Sequence, residues 1–316
     1  MNLSAKTLPL PALREIFGSR LQEGVRLANY TSARVGGLAD ALLVAGSLAE
    51  LEEAVTGLWE IGVPFLILGS GANVLVSDRG VRGVVIINRA HTIKIEANQQ
   101  PPAVFAESGA NIGTVARQVA LRGLSGLEWA ATIPGSIGGA VYGNAGAHGS
   151  DMQANLILAE ILHPDLGRQT WTCKQMAYEY RTSALKRNPR KAVILAARLG
   201  LEHSTPDAVK TKMEEFSQRR KQTQPPGASL GSMFKNPPGD FAGRLIEAAG
   251  LKGARVGGVE VSQVHANFFV NHENATANDY HGLIEKVRRT VADRTGVDLE
   301  LEIELVGDWL LDGVQG

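Results

Sequence analysis

Glycine placement constrains this chain more than any other feature. It carries 36 glycines in 316 residues, roughly 11% against a usual ~7%, and they are gathered rather than spread. One cluster, Gly69-Ser70-Gly71-Ala72-Asn73, follows the apolar segment Pro64–Leu68; the other places five glycines between Gly135 and Gly146. Glycine permits positive φ and lets main-chain N–H groups come close to an anion, which is how uncharged loops cradle phosphate. A Rossmann reading of Gly69-x-Gly71 fails, because the third glycine is absent and strand-like Val74–Val76 follows where a helix should open. No acidic residue lies at the expected spacing of ~20 residues either. No Gly-Lys-Ser/Thr follows, so a Walker loop is excluded. Alone, Gly69–Asn73 also reads as an ordinary hairpin turn. The second cluster has small residues between its glycines and no helix or strand period, so a diphosphate-containing cofactor threaded between both loops is the better reading.

Composition narrows the class. Lys+Arg and Asp+Glu both number 32, which removes the basic footprint of a general nucleic-acid binder. With 44% hydrophobic and 20% charged residues the chain is expected to be soluble and globular, with two or three domains. No apolar run approaches the ~18 residues of a membrane span, and Met1–Lys6 leads into Pro9 and Pro11 without a secretory h-region. A single cysteine, Cys173, read as a small buried hydrophobe, points to the cytoplasm. No histidine has metal-ligand spacing, so no metal is expected.

Periodicity predicts a helix over Ser47–Ile61, with Ser47 as N-cap, Glu50 completing a capping box and Gly62 as stop. Strands are expected at Pro64–Leu68, Val74–Val76 and Val84–Ile87. A strand from Ala103, a helix at Ile112–Leu121 closed by Gly123, and strands at Leu156–Leu162 and Ala192–Leu199 describe a strand-rich middle. Further helices are expected from Pro206 (after the Thr205 cap) to about Lys221, at Phe241–Ala249 capped by Asp240, and at Ala277–Arg294 with its stripe at Tyr280, Leu283, Ile284, Val287 and Val291. Leu299–Val306 alternates apolar and Glu residues and reads as one strand. The expected units are residues 1–90, 91–204 and 205–306, with a tail at 307–316.

Several side chains have two readings. Ser232, in Gly231-Ser232-Met233-Phe234-Lys235-Asn236-Pro237, is a hydrogen-bonded loop serine or a proton donor held against a developing carbanion. Arg181, in Tyr178-Glu179-Tyr180-Arg181-Thr182-Ser183 ahead of the basic run Lys186–Lys191, is a surface arginine stacked on tyrosine or a clamp for a substrate carboxylate. Glu300, Glu302 and Glu304 form a solvated strand face, or one that turns a carboxylate toward cations in a site. Arg219-Arg220-Lys221 is explained by the dipole of its helix, with a phosphate partner as the lesser reading.

Six ordered segments then carry a resemblance. They are Tyr30-Thr31-Ser32-Ala33-Arg34-Val35-Gly36-Gly37-x-Ala39-Asp40, Leu68–Asp78, Ile133-Pro134-Gly135-Ser136-Ile137-Gly138-Gly139-Ala140 with Asn144-Ala145-Gly146, Gly231–Pro237, Ala242–Gly253, and Val261-Ser262-x-x-His265-Ala266-Asn267. In order and spacing, over about Asn29–Gly307, they closely resemble the UDP-N-acetylenolpyruvoylglucosamine reductase (MurB) family, in its shorter subtype without a tyrosine-bearing lid. The resemblance implies an α+β chain: a two-part FAD-binding fold of the vanillyl-alcohol-oxidase (PCMH) type plus a C-terminal α+β substrate domain, with the final strand returning Glu302 to the flavin. It implies a cytoplasmic, monomeric flavoenzyme of peptidoglycan precursor synthesis that uses FAD and NADPH. Its substrate would be a small-molecule UDP-sugar, with neither nucleic acid nor membrane as partner. Ser232 falls at the family's proton donor, Arg181 at its active-site arginine and Glu302 at its glutamate. FAD contacts are implied at Gly36, Gly69, Ser70, Gly71, Ala72, Asn73, Val74, Ile133, Pro134, Gly135, Ser136, Gly138, Gly139, Asn144, Gly146 and Arg220, and sugar-nucleotide contacts at Lys235, Asn236 and His265. Thr132, His148 and Thr223 depart from the family pattern. A flavin oxidase for another small substrate, or a silent UDP-sugar-binding regulator, are the rival readings; the oxidase would need an oxygen-reactive site and would not require Ser232 in its motif, and the joint presence of Arg181, Ser232 and Glu302 weighs against the regulator.

Overall fold

The computed structural model describes residues 8–189 and 192–309. The amino-terminal unit is a four-stranded sheet in the order Gln22–Arg26, Leu38–Ala45, Val81–Asn88, Phe65–Leu68, with only its first pair antiparallel. Helix Leu48–Glu60 crosses over it and buries Leu51, Ala54, Val55 and Leu58. As expected, Ser47 caps that helix by accepting from the Glu50 N–H. A shorter helix, Leu10–Phe17, packs Leu13 and Phe17 into the same core and is absent from the sequence expectation; it is only eight residues long, with Pro9 before it and Pro11 in its first turn.

The middle unit is a fully antiparallel five-stranded sheet, Gly167–Thr172, Leu156–His163, Val193–Gly200, Ala103–Glu107, Ile93–Glu96. Its core joins helix Ile112–Ala120 to helix Ile137–Gly143. The second helix corrects the sequence reading of 135–146 as aperiodic. Ser136 caps it, and Ile137, Ala140 and Val141 are its buried face; three glycines diluted an i, i+3, i+4 stripe that seven residues could barely show. The expected boundary near residue 90 falls between strands of different sheets, yet Leu162, Val193 and Leu195 belong to the first unit's core.

The carboxy-terminal unit packs helices Ala242–Ala248 and Ala277–Thr295 on the antiparallel sheet Ala228–Ser232, Phe268–Asn271, Val259–Val261, Arg255–Val256. The long helix buries the expected stripe and ends at left-handed Gly296. Asp240 does not cap the shorter helix. It accepts from the Phe241 N–H and pairs with Arg244, while Asn236 accepts from the Ala242 N–H at 3.1 Å.

The alternating Leu299–Val306 segment is also corrected. Only Glu304–Val306 is a strand, pairing in parallel with Val74–Val76, and Leu301 makes a lone bridge with Phe234. The segment thus joins two units in turn instead of lying along one sheet. Glu304 donates its N–H to the Asn73 carbonyl and Asn73 Nδ2 donates to the Glu302 carbonyl. Gly69–Asn73 is therefore not a hairpin turn, since the strands on its two sides lie in different sheets. Cys173 is half-buried rather than a core hydrophobe. No helix among the described residues is long and apolar enough to cross a membrane.

Candidate active site

A cavity of about 780 Å³ opens where the three units meet. Both glycine clusters wall it. Gly69 passes so close to Ser136 that a Cβ there would overlap the serine hydroxyl, and one at Gly71 (φ 60°) would strike the Tyr30 carbonyl. Glycine is required at 69 for the two loops to meet and at 71 for the first loop to pass the Tyr30 main chain. Gly135 and Gly143 are different: nothing stands within 4 Å of a Cβ built there, so bare main chain faces open space.

Helix Ile137–Gly143 also anchors the segment that carries Arg181. Tyr178 donates its hydroxyl to the Val141 carbonyl at 2.8 Å, Ser183 donates to the Tyr142 carbonyl at 2.6 Å, and Asn144 Nδ2 donates to the Glu179 carbonyl at 3.1 Å. Between these ties Arg181 is held at φ 59°, in the left-handed region uncommon for a side-chain-bearing residue. Its guanidinium lies over the Tyr180 ring, donates to the Gly146 carbonyl at 2.9 Å and forms an ion pair with Glu302 at 2.7 Å. The stacking on tyrosine that the sequence offered is present, and the carboxylate that the guanidinium meets is the chain's own Glu302.

Glu302 arrives from the returning segment, its N–H donated to the Met233 carbonyl one residue beyond Ser232. Its side chain is only 16% exposed, against 73% for Glu300. The glutamate face is thus split between solvent and site. Burial pushes the Glu302 carboxyl above the usual carboxylate range, opposed by Arg181, Lys186 and Lys235. Ser232 closes the strand Ala228–Ser232 on the same cavity, next to left-handed Gly231. Arg220 enters from the last turns of helix Pro206–Thr223; burial with no opposing carboxylate lowers its pKa.

Ser70, Ala72, Asn73, Val74, Ile133, Pro134, Ser136, Gly138, Gly139 and Gly146 line the cavity with the residues above. Five predicted positions do not. Gly36 backs onto Val76 behind the strand Val74–Val76, and Asn144 is buried as the left-handed end of its helix. Lys235 is ion-paired to Glu300 at 2.5 Å, the Asn236 carbonyl oxygen is engaged by the next helix, and His265 packs on Phe268 with Nδ1 accepting from Asn267. Their polar atoms are satisfied inside the carboxy-terminal unit, which draws them off the wall. The family departures are also placed: His148 stacks on Phe216 with ring centroids 4.1 Å apart, Thr223 donates to the Arg219 carbonyl, and the Thr132 hydroxyl is buried without a partner.

Tyr142, Lys186 and Glu304 are wall residues that sequence reasoning missed. Lys186 appeared only within a basic run, of which Arg190 and Lys191 lie outside the described residues. Burial and Glu304 raise the Tyr142 phenol above its ordinary value, and Lys186 pairs with Glu304 at 3.2 Å.

The donor set fits a large, anionic, planar cofactor. The cavity lies within the roughly 300–1,000 Å³ of small-molecule sites, glycine main chain faces it, and a half-buried guanidinium stands on its wall without a counter-charge among the described residues.

Comparison with known proteins bears on the same residues. Residues 222–306 match the UDP-N-acetylenolpyruvoylglucosamine reductase C-terminal domain and residues 39–171 the FAD binding domain. The chain is 40% identical to the UDP-N-acetylenolpyruvoylglucosamine reductase of Bacillus velezensis over 93% of its own length and 97% of the relative's. It is 45% identical to that of Rubrobacter xylanophilus over 89% and 94%. The crystal structure of the Thermus caldophilus enzyme superposes with a TM-score of 0.78 at 34% identity, covering 90% of this chain and 98% of that one.

Proposed function

The chain belongs to the UDP-N-acetylenolpyruvoylglucosamine reductase family, and from that premise we propose how its cavity carries out the reduction. It is an FAD- and NADPH-dependent oxidoreductase of peptidoglycan precursor synthesis. Its reaction converts the enolpyruvyl ether of UDP-N-acetylglucosamine to UDP-N-acetylmuramate. When bound, FAD reduced by NADPH supplies the hydride, from flavin N5 to C3 of the enolpyruvyl group.

The remaining work falls to this chain. Gly69–Asn73 and, in the second loop, Gly135 and Ser136 would hold the cofactor with main-chain amides, since the Ile133, Ile137, Gly138 and Gly139 N–H groups are already donated within the fold, and Arg220 would offer its charge to the diphosphate. Arg181, fixed by Gly146, Tyr180 and Glu302, engages the substrate carboxylate and stabilises the negative charge that develops at C2. Ser232 delivers a proton to C2. Hydride at C3 and proton at C2 convert the vinyl carbon pair to a saturated lactyl ether, so the atoms balance. Lys235, Asn236 and His265 shape the turn behind Ser232 in this reading, and the substrate carboxylate is held chiefly through Arg181.

One observation carries the proposal. Arg181, Ser232 and Glu302, far apart in the chain, line one cavity together with both glycine loops. The test is anaerobic stopped-flow on FAD-loaded protein. NADPH should bleach the flavin absorbance and the enolpyruvyl nucleotide should restore it. In Ser232→Ala the bleaching should persist while nucleotide-driven recovery slows by ~10²–10⁴. Recovery at the parent rate in that variant removes Ser232 as proton donor, and no recovery in the parent removes the reductase reading.

A further inference from the structure

Lys186 faces the cavity, yet no step above uses it. It sits on the one-turn helix Ala184–Arg187. The buried N-cap Ser183 accepts from the Lys186 N–H at 3.2 Å and donates to the Tyr142 carbonyl, so the lysine's main chain is tied to the glycine-loop helix. The side chain is 17% exposed and its ammonium lies 3.2 Å from Glu304 Oε1. Glu304 stands two residues after Glu302, and both line the same cavity. Two cation–carboxylate pairs therefore bridge the same two segments, Arg181 to Glu302 and Lys186 to Glu304. Without Lys186, Glu304 loses its ion pair, and the returning segment sets two carboxylates on the cavity against one guanidinium.

Building on the function proposed above, we infer that Lys186 is a positioning residue: pinned by Glu304, its ammonium keeps Glu302 an anion directed at Arg181, so that the guanidinium stays presented to the substrate carboxylate. The charged groups that act on Glu302 are Arg181, its ion-pair partner, Lys186 from the same segment and Lys235 from the stretch after Ser232, while on its own segment Glu304 faces Lys186 and Tyr142, and Glu300 is paired with Lys235. Burial drives Glu302 toward its neutral form, and Lys186 is one of three cations that oppose it. A lysine that merely filled space, or that served only to anchor a cofactor phosphate, would leave the ionisation of Glu302 unmoved.

The measurement is a carboxyl ¹³C titration of FAD-loaded protein labelled at glutamate, with the Glu302 resonance identified by its loss in Glu302→Gln. In Lys186→Met the Glu302 midpoint should rise by roughly 0.5–1 pH unit, and Lys186→Arg should restore the parent value. The acidic limb of the pH profile for nucleotide-driven flavin recovery should move by the same amount. Should Lys186→Met fold poorly, Lys186→Gln removes the same charge while keeping a polar tip. An unmoved midpoint in the neutral variants overturns the inference, as does an equal rise in Lys186→Arg; weaker FAD binding with an unmoved midpoint assigns Lys186 to the cofactor instead. Failure of the parent flavin to recover with nucleotide would remove the reductase reading, and the carboxyl midpoints would still decide the role of Lys186.

Discussion

The wall built from segments 181–186 and 302–304 carries its charges in pairs, whereas the wall that Arg220 contributes carries its charge alone. On the first, Arg181 meets Glu302 at 2.7 Å and Lys186 meets Glu304 at 3.2 Å before any ligand arrives. On the second, a half-buried guanidinium lines the same cavity with burial acting on it and no carboxylate opposing it among the described residues. Paired charges are held in a fixed direction and need little rearrangement when a substrate carboxylate joins them. An unpaired cation bears a desolvation cost until an anion binds, so it spends stability on affinity. Preorganisation and ligand capture thus occupy different walls of one cavity.

Substitutions can break that contrast, and the largest effect belongs to the paired wall. Arg181→Met should lower kcat/KM for the enolpyruvyl nucleotide by ~10²–10³. It should also destabilise the cofactor-free protein by roughly 1–3 kcal/mol in urea unfolding, because it leaves Glu302 buried without its partner. Arg181→Lys should not rescue fully, since an ammonium cannot span Gly146 and Glu302 as the guanidinium does. Unchanged stability in Arg181→Met would mean that the pair is not held together before substrate binds.

Arg220→Gln should act in the other sense. FAD binding, followed by quenching of flavin fluorescence, should weaken about tenfold. The thermal midpoint of the cofactor-free protein should stay level or rise, because a half-buried unpaired cation is removed. A fall like that of Arg181→Met would make Arg220 part of the scaffold and erase the distinction.

The smallest effect sharpens the account of Glu302. Its folded-state pKa lies above the usual carboxylate value because of burial, so the native protein binds more protons than the unfolded chain between the two values. The stability this group contributes is fully present below the ordinary carboxylate range and is lost as pH rises through the folded value. Urea midpoints measured across that window should fall less steeply in Glu302→Gln than in the parent. Identical slopes would show that Arg181, Lys186 and Lys235 cancel the effect of burial.

What was readable beforehand follows how local the physics is. Ser47 and Thr205 at helix starts and Gly296 at a helix end act over three or four residues, so the helices they delimit stand where the sequence places them. Ile137–Gly143 escaped because it is only seven residues long and three of those are glycine. The end of the chain escaped for a different reason. Eight alternating residues satisfy a strand pattern wherever they pair, and here Leu301 pairs with Phe234 while Glu304–Val306 pairs with Val74–Val76. The wall residues Tyr142, Lys186 and Glu304 carried no motif of their own that marked a site.

From the order of residues alone came the two glycine loops, the capped helices and, through ordered motifs, the family with its Arg181, Ser232 and Glu302. Those follow from steric freedom, short-range hydrogen bonding and inherited spacing, all of which are written along the chain. Only the packed structure decided which charges face one another. A pair such as Lys186 and Glu304 exists because a parallel strand from the far end of the chain docks on Val74–Val76, and electrostatic energy depends on distance through space and local burial, neither of which sequence separation reveals.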